Sequence, residues 1–134
     1  MELKSEKSLN VFIVIPALNE RKSVGWVVQG CHEVLKDTEH QVIVVDGYST
    51  DGTAEVAKKA GATVIYEKGK GYGAALMTGF RYVLDNCSKG NNAESIIAMM
   101  DGDATYIPED IPKMIQPIIS GEADIVIGNR FAKM

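Results

Sequence analysis

Five short apolar runs, each but the last followed by a stretch with helical spacing, constrain the fold more than any other feature. Val11–Ile15, Val42–Val45, Ala62–Tyr66, Ile96–Met100 and Ala123–Ile127 are too short for helices and are mostly rich in β-branched residues, so they read as strands. The first two are apolar at every position rather than at alternate ones. A strand without a polar face is buried on both sides, as in parallel sheets covered by helices above and below. Between the runs, Val24, Val27, Val28, Cys31, Val34 and Leu35 recur at helical spacing. So do Tyr72, Ala75, Leu76, Phe80, Val83 and Leu84, and then Ile111, Met114, Ile115, Ile118 and Ile119, which should line buried faces. A short helix is expected over Thr53–Ala60, capped by Thr50 or Asp51. Pro108 suits the first turn of the last helix, with Glu109 and Asp110 at its positive end. The order βαβαβαβαβ implies an α/β fold with a doubly wound, mostly parallel sheet.

At 134 residues the expectation is one domain over 1–134, with a polar tail at 1–9. Cys31 and Cys87 stand far apart with no CxxC, which excludes a metal finger or a disulfide framework and fits a reducing compartment. Residues 1–90 carry equal numbers of acids and bases, so the net charge of −4 lies wholly in the last third. No basic stripe is present, and nucleic-acid binding is not expected. The first seven residues lack an apolar core, so no signal peptide is read, and no segment approaches the ~18 apolar residues of a membrane span. A cytoplasmic location is expected.

In open parallel sheets, ligands bind beyond the carboxyl ends of the strands. The residues that follow the five runs are Pro16–Glu20, Asp46–Gly52, Lys68–Gly71, Asp101–Asp103 and Gly128–Arg130. Asp101 and Asp103, two apart at a strand end, can converge on one hard cation, Mg2+ or Mn2+, that bridges substrate phosphates. Gly102 between them would let a ligand approach the backbone. As a plain turn, the same tripeptide would carry solvated acids. Asp46 suits hydrogen bonding to a base or ribose, or an Asx-turn. Glu20 suits either the rim or the start of the next helix. Lys70, between glycines, can meet a phosphate, and Arg130 offers a fork for a diphosphate. His32 and His40 sit away from the rim and read as structural. Gly69–Ala74 matches G-x-G-x-x-A, but on the third unit and without the acid that a dinucleotide site requires, so no nicotinamide or flavin site is expected.

Four segments together resemble family 2 glycosyltransferases, above all the dolichol-phosphate or polyprenyl-phosphate mannosyl- and glucosyltransferases. They are Val14–Glu20 (VIPALNE), Val45–Thr53 (VDGYSTDGT), Asp101–Tyr106 (DGDATY) and Gly128–Phe131 (GNRF). The resemblance runs from about Val11 to Phe131. It implies a Rossmann-like, GT-A type fold that binds a nucleotide-diphospho-sugar. By that resemblance Pro16, Leu18 and Glu20 hold the nucleoside and Asp46 contacts the base. Asp101 and Asp103 hold the ribose and the Mg2+ or Mn2+ on the diphosphate, with Gly102 between them, and Arg130 lies near the phosphates. Lys70 matches more loosely. Asp103 and Arg130 are the implied catalytic residues of an inverting, direct displacement. A lipid-phosphate acceptor arrives already ionised, whereas a glycan hydroxyl needs a general base. A lipid acceptor would place the protein at the cytoplasmic face of a membrane.

Family catalytic domains continue past the Gly-Asn-Arg segment. The chain is therefore expected to be a donor-binding half, truncated on its C-terminal side. A second copy or a partner chain would then complete the acceptor site. Two other readings compete. A sugar-phosphate nucleotidyltransferase would want a Gly-rich, basic loop after the first strand, which Pro16–Glu20 is not. A non-catalytic nucleotide-binding module derived from a transferase would bind without turnover.

Overall fold

The computed structural model describes residues 8–87 and 93–126. The elements run β1 (Ser8–Ala17), α1 (Val24–Val34), β2 (Glu39–Asp46), α2 (Thr53–Lys59), β3 (Thr63–Tyr66), α3 (Tyr72–Asn86) and β4 (Ala93–Met99). A single 3-10 turn (Pro108–Asp110) then leads into α4 (Ile111–Ile119). The sheet order is β3-β2-β1-β4, and every pair is parallel. The first strand is thus central: Val14 lies opposite Ile43 on one side and Met99 on the other.

Alternate residues of the central strands feed two cores. Val11, Ile13, Ile15, Val42 and Val44 pack with Val24, Val27, Val28 and Cys31 of α1 and with Ile111 and Ile115 of α4. Phe12, Val14, Ile43 and Val45 point the other way, onto Ala75 and Val83 of α3. Burial on both faces is the physical reason the runs are continuously apolar. Helix α3 lies very close to the sheet at Gly79. A Cβ there would fall inside van der Waals contact of Val14 Cγ1 and 3.2 Å from Val45 Cγ2. Both cysteines are free, and burial pushes the Cys31 thiol up to about 12. Among the described residues no helix is long and apolar enough to cross a membrane.

The structure departs from the sequence expectation in four places. Residues 123–126 form no strand, and Ile127 lies outside the described residues. The N–H groups of Glu122 and Ala123 both donate to the Pro117 carbonyl, which ties this segment back to the end of α4 instead of to a ladder. Ile125 is 79% exposed. Helix α4 starts at Ile111, one 3-10 turn after Pro108, and Ile119 at its end is exposed. Tyr72 and Leu84 of α3 are exposed too, because the sheet covers a narrower stripe than the helical spacing marks. Finally, the N-cap of α2 is Gly52 in the left-handed region (φ 92°), where only a residue without Cβ sits freely. Asp51 reaches past it to accept the Thr53 N–H at 3.0 Å.

Candidate functional site

The order β2-β1-β4 puts a topological switch point between β1 and β4, where connections leave the sheet in opposite directions. A cleft of ≈ 360 Å3 opens there. Its walls are Pro16, Ala17, Leu18 and Glu20 after β1, Asp101, Gly102 and Asp103 after β4, and Gly71, Tyr72 and Ala75 at the start of α3, with Gly47 and Glu67 behind.

The rim is held in a strained shape. Its three non-glycine residues with positive φ are Asn19 (54°), Tyr48 (65°) and Ala104 (67°), in the loops after β1, β2 and β4. Such conformations persist where the surroundings over-determine them. Here cross-loop hydrogen bonds supply that constraint. The Asn19 N–H donates to Ser49 Oγ (2.8 Å), and the Thr50 N–H donates to Asn19 Oδ1 (2.9 Å). The Glu20 N–H donates to Thr53 Oγ1 (2.9 Å), and the Ser23 hydroxyl donates to the Gly102 carbonyl (2.6 Å). The loop after β1 is therefore tied to the loops on both its neighbours.

Glu20, Asp101 and Asp103 converge on this cleft, and among the described residues no cation lines it. Burial, then Asp103, Asp51 and Asp101, hold the Glu20 carboxyl above its usual range. The Thr105 hydroxyl and N–H, the latter 2.9 Å from Oδ1, hold the Asp103 carboxyl below its usual range. Asp101 Oδ1 accepts the Tyr72 hydroxyl at 3.1 Å. Burial and the Asp101 charge push the Tyr72 phenol up. Two carboxylates at one lip suit a hard cation whose remaining ligands are phosphate oxygens and water. Among the described residues, no three His, Cys, Asp or Glu side chains form an all-protein metal cage.

The Glu20 shift has a testable consequence. The folded chain keeps that proton to higher pH than the unfolded chain does. Stability therefore falls as pH rises from 4.5 through the raised value, and stays lower above it. Glu20→Gln removes this loss. We expect a higher Tm than wild type at neutral pH, with the difference closing as pH falls to 4.5. A Tm at or below wild type at neutral pH would show that the carboxylate is not under repulsion.

Other residues singled out from sequence lie differently. Asp46 is only 2% exposed, and its carboxylate accepts the Ser49 N–H on both oxygens (3.2 and 3.3 Å) and the Ser49 hydroxyl on one, a loop-bracing contact one residue longer than an Asx-turn. Lys70 is exposed and is not part of the cleft wall. Gly102 lines the cleft, but a Cβ there would meet Ala17 Cβ at 3.3 Å and Ile15 Cγ2 at 3.5 Å. Close packing against β1 is by itself a reason for the glycine. Arg130, with Gly128 and Asn129, lies outside the described residues. His32 and His40 bond to each other at 2.9 Å and to the carbonyls of Gly61 and Thr38, a structural arrangement. Tyr72 was expected only in a buried stripe. Its position was readable as the residue that opens a helix directly after the Gly-rich turn.

Comparison with known proteins agrees with this geometry. The model of glycosyl transferase family 2 matches residues 12–134. The low-salt glycan biosynthesis hexosyltransferase Agl6 of Haloferax volcanii is 38% identical over 120 residues, covering 88% of this chain and 27% of that protein. The dolichol-phosphate mannosyltransferase of Pyrococcus furiosus is 29% identical over 130 residues, covering 93% of this chain and 34% of that one. Glucosyl-3-phosphoglycerate synthase from Mycobacterium tuberculosis has been solved with Mn2+, uridine-diphosphate-glucose and phosphoglyceric acid. It superposes with a TM-score of 0.64 at 27% identity, over 88% of this chain and 41% of that one. The chain thus spans less than half the length of each of these three proteins.

Proposed function

Since the chain belongs to glycosyl transferase family 2, we propose that its cleft is the donor site of an inverting glycosyltransferase. The donor is a GDP- or UDP-hexose bound with Mg2+ or Mn2+, and the acceptor is a polyprenyl or dolichyl phosphate. The observation that carries this is the convergence of Glu20, Asp101 and Asp103 at the switch point, where no Lys or Arg stands among the described lining residues. A divalent cation held there would relieve that repulsion. The Mn2+ and uridine-diphosphate-glucose in the solved synthase support the donor class, and the similarity to the dolichol-phosphate mannosyltransferase of Pyrococcus furiosus supports the acceptor class.

Asp101 and Asp103 would hold the metal, which supplies charge stabilisation to the departing nucleoside diphosphate. Tyr72 fixes Asp101 through its hydroxyl, and Thr105 keeps Asp103 ionised. Pro16 and Leu18 offer an apolar wall to the nucleoside, and Glu20 closes it. Asp46 meets the base only if Ser49 releases it. Otherwise it braces the loop that carries Asn19, since Ser49 Oγ bonds both. Gly102 keeps the Asp101–Asp103 loop tight against β1, and by the family resemblance Lys70, from outside the cleft wall, and Arg130 would contribute positive charge to the phosphates. A lipid phosphate is already a nucleophile, so no general base is needed. The acceptor surface comes from further residues, a second copy or a partner chain, at the cytoplasmic face of a membrane.

Calorimetric titration with GDP-mannose, UDP-glucose and UDP-N-acetylglucosamine, with and without Mn2+, tests the proposal. One donor should bind, and only with the metal. If none binds in the presence of Mn2+, the cleft is not a donor site in this chain.

A further inference from the structure

Beside the acid cleft lies a second one of nearly the same size and opposite charge. A groove of ≈ 350 Å3 runs between α1 and α2, with Arg21, Lys22, Trp26, Gln29, Val56 and Lys59 in its walls. Among the described residues no carboxylate lines it. Its floor is set by Gly25, where a Cβ would stand 3.1 Å from Val56 Cγ1, so the two helices meet closely there. Among the described residues, none of the three cations is in an ion pair. Asp51 stands nearby, but it is held by the Arg21 backbone N–H (3.2 Å) and by Thr53. Trp26 is 52% exposed at the groove.

Three exposed cations around one concavity set up a positive potential that favours the entry of an anion. A guanidinium fork with two ammonium groups matches the oxygens of a phosphate. A half-exposed tryptophan offers an apolar body at a wet boundary, the composition found where proteins meet headgroups or flat apolar ligands. We propose that this groove binds the phosphate group of an anionic ligand on Arg21, Lys22 and Lys59, with the ligand's apolar part against Trp26. A lipid headgroup and a soluble phosphate compound share this chemistry. The proposal uses no residue of the acid-lined cleft and stands independently of the donor reading.

Trp26 is the chain's one tryptophan, so its fluorescence reports on this groove alone. The protein is titrated with vesicles of phosphatidylglycerol in phosphatidylcholine, with vesicles of phosphatidylcholine alone, and with inorganic phosphate. A saturating change in emission is expected with the anionic vesicles if the source is a lipid, or with inorganic phosphate if it is soluble. Phosphatidylcholine alone should give none. Lys22→Glu with Lys59→Glu should weaken the response about tenfold or more, as loss of charge-assisted hydrogen bonds does. Both lysines are exposed, and a thermal melt with the milder Lys22→Gln/Lys59→Gln pair separates loss of charge from loss of fold. Asp103→Asn should leave the response intact. No response to either anionic probe overturns the proposal, as does a response that the charge-reversed protein retains.

Discussion

Asp103→Asn should reduce metal-dependent donor affinity by at least about a hundredfold. Even groups that only orient a metal's ligands are worth roughly 10–100-fold in affinity, and Asp103 is assigned to the metal itself. The substitution keeps the shape and the hydrogen bond from the Thr105 N–H, which an amide oxygen also accepts. It removes a charge that Thr105 holds ionised well into acid. Because Asp103 is exposed and its charge opposes Glu20, the variant should fold at least as well as wild type. Calorimetry with Mn2+ and the donor that binds wild type reads the effect directly. Unchanged affinity would place the metal elsewhere and remove the basis for the donor site.

Gly79→Ala should destabilise the fold by about 2 kcal/mol, against what helix propensity alone predicts. Glycine in the middle of α3 is unfavourable by about 1 kcal/mol relative to alanine. In solvent the substitution would stabilise. Here the new methyl meets Val14 and Val45. Val14 is fully buried on β1, which is hydrogen-bonded along both edges, so neither the side chain nor the strand can retreat. Overpacking of this kind costs about 1–3 kcal/mol, and sometimes more. Denaturant unfolding should show a lower midpoint with an unchanged slope. Shortening the partner with Val14→Ala should cost less in the Gly79→Ala background than in wild type, the mark of direct contact. A midpoint raised by Gly79→Ala would mean that α3 does not press on the sheet there.

The parts of the fold that depend on burial were readable from composition along the chain. Val11–Ile15 and Val42–Val45 show no polar face because α1 and α4 cover one side and α3 the other. The rim was readable as well, since a parallel sheet brings every strand end to one edge, and Glu20, Asp101 and Asp103 meet there. Features that depend on a single side-chain partner were not. Asp46 turns inward onto Ser49 rather than outward, and nothing in the pattern V-D-G-Y-S decides between the two. Tyr72 sits at helical spacing for a buried stripe, yet its hydroxyl reaches Asp101, a contact set by how far α3 starts from β4. Gly102 reads as space for a ligand, whereas the space belongs to Ala17 and Ile15. The run Ala123–Ile127 reads as a strand, but the N–H groups of Ala123 and of Glu122 just before it are claimed by Pro117.

The central position of β1 also bears on how the protein comes into being. Its partner on one side, β2, follows after a single helix, so that pairing is local and fast to find. Its partner on the other side is β4, with Val14 opposite Met99, and three helices and two strands intervene. During synthesis β1 emerges ahead of both its partners and is enclosed on its second side only once β4 has followed. Until β4 is available, Phe12 and Val14 lie along an open backbone edge, the kind of surface that templates pairing with another chain. Crowded translation of many copies should thus lose more protein to aggregation than slow refolding of dilute, full-length chains.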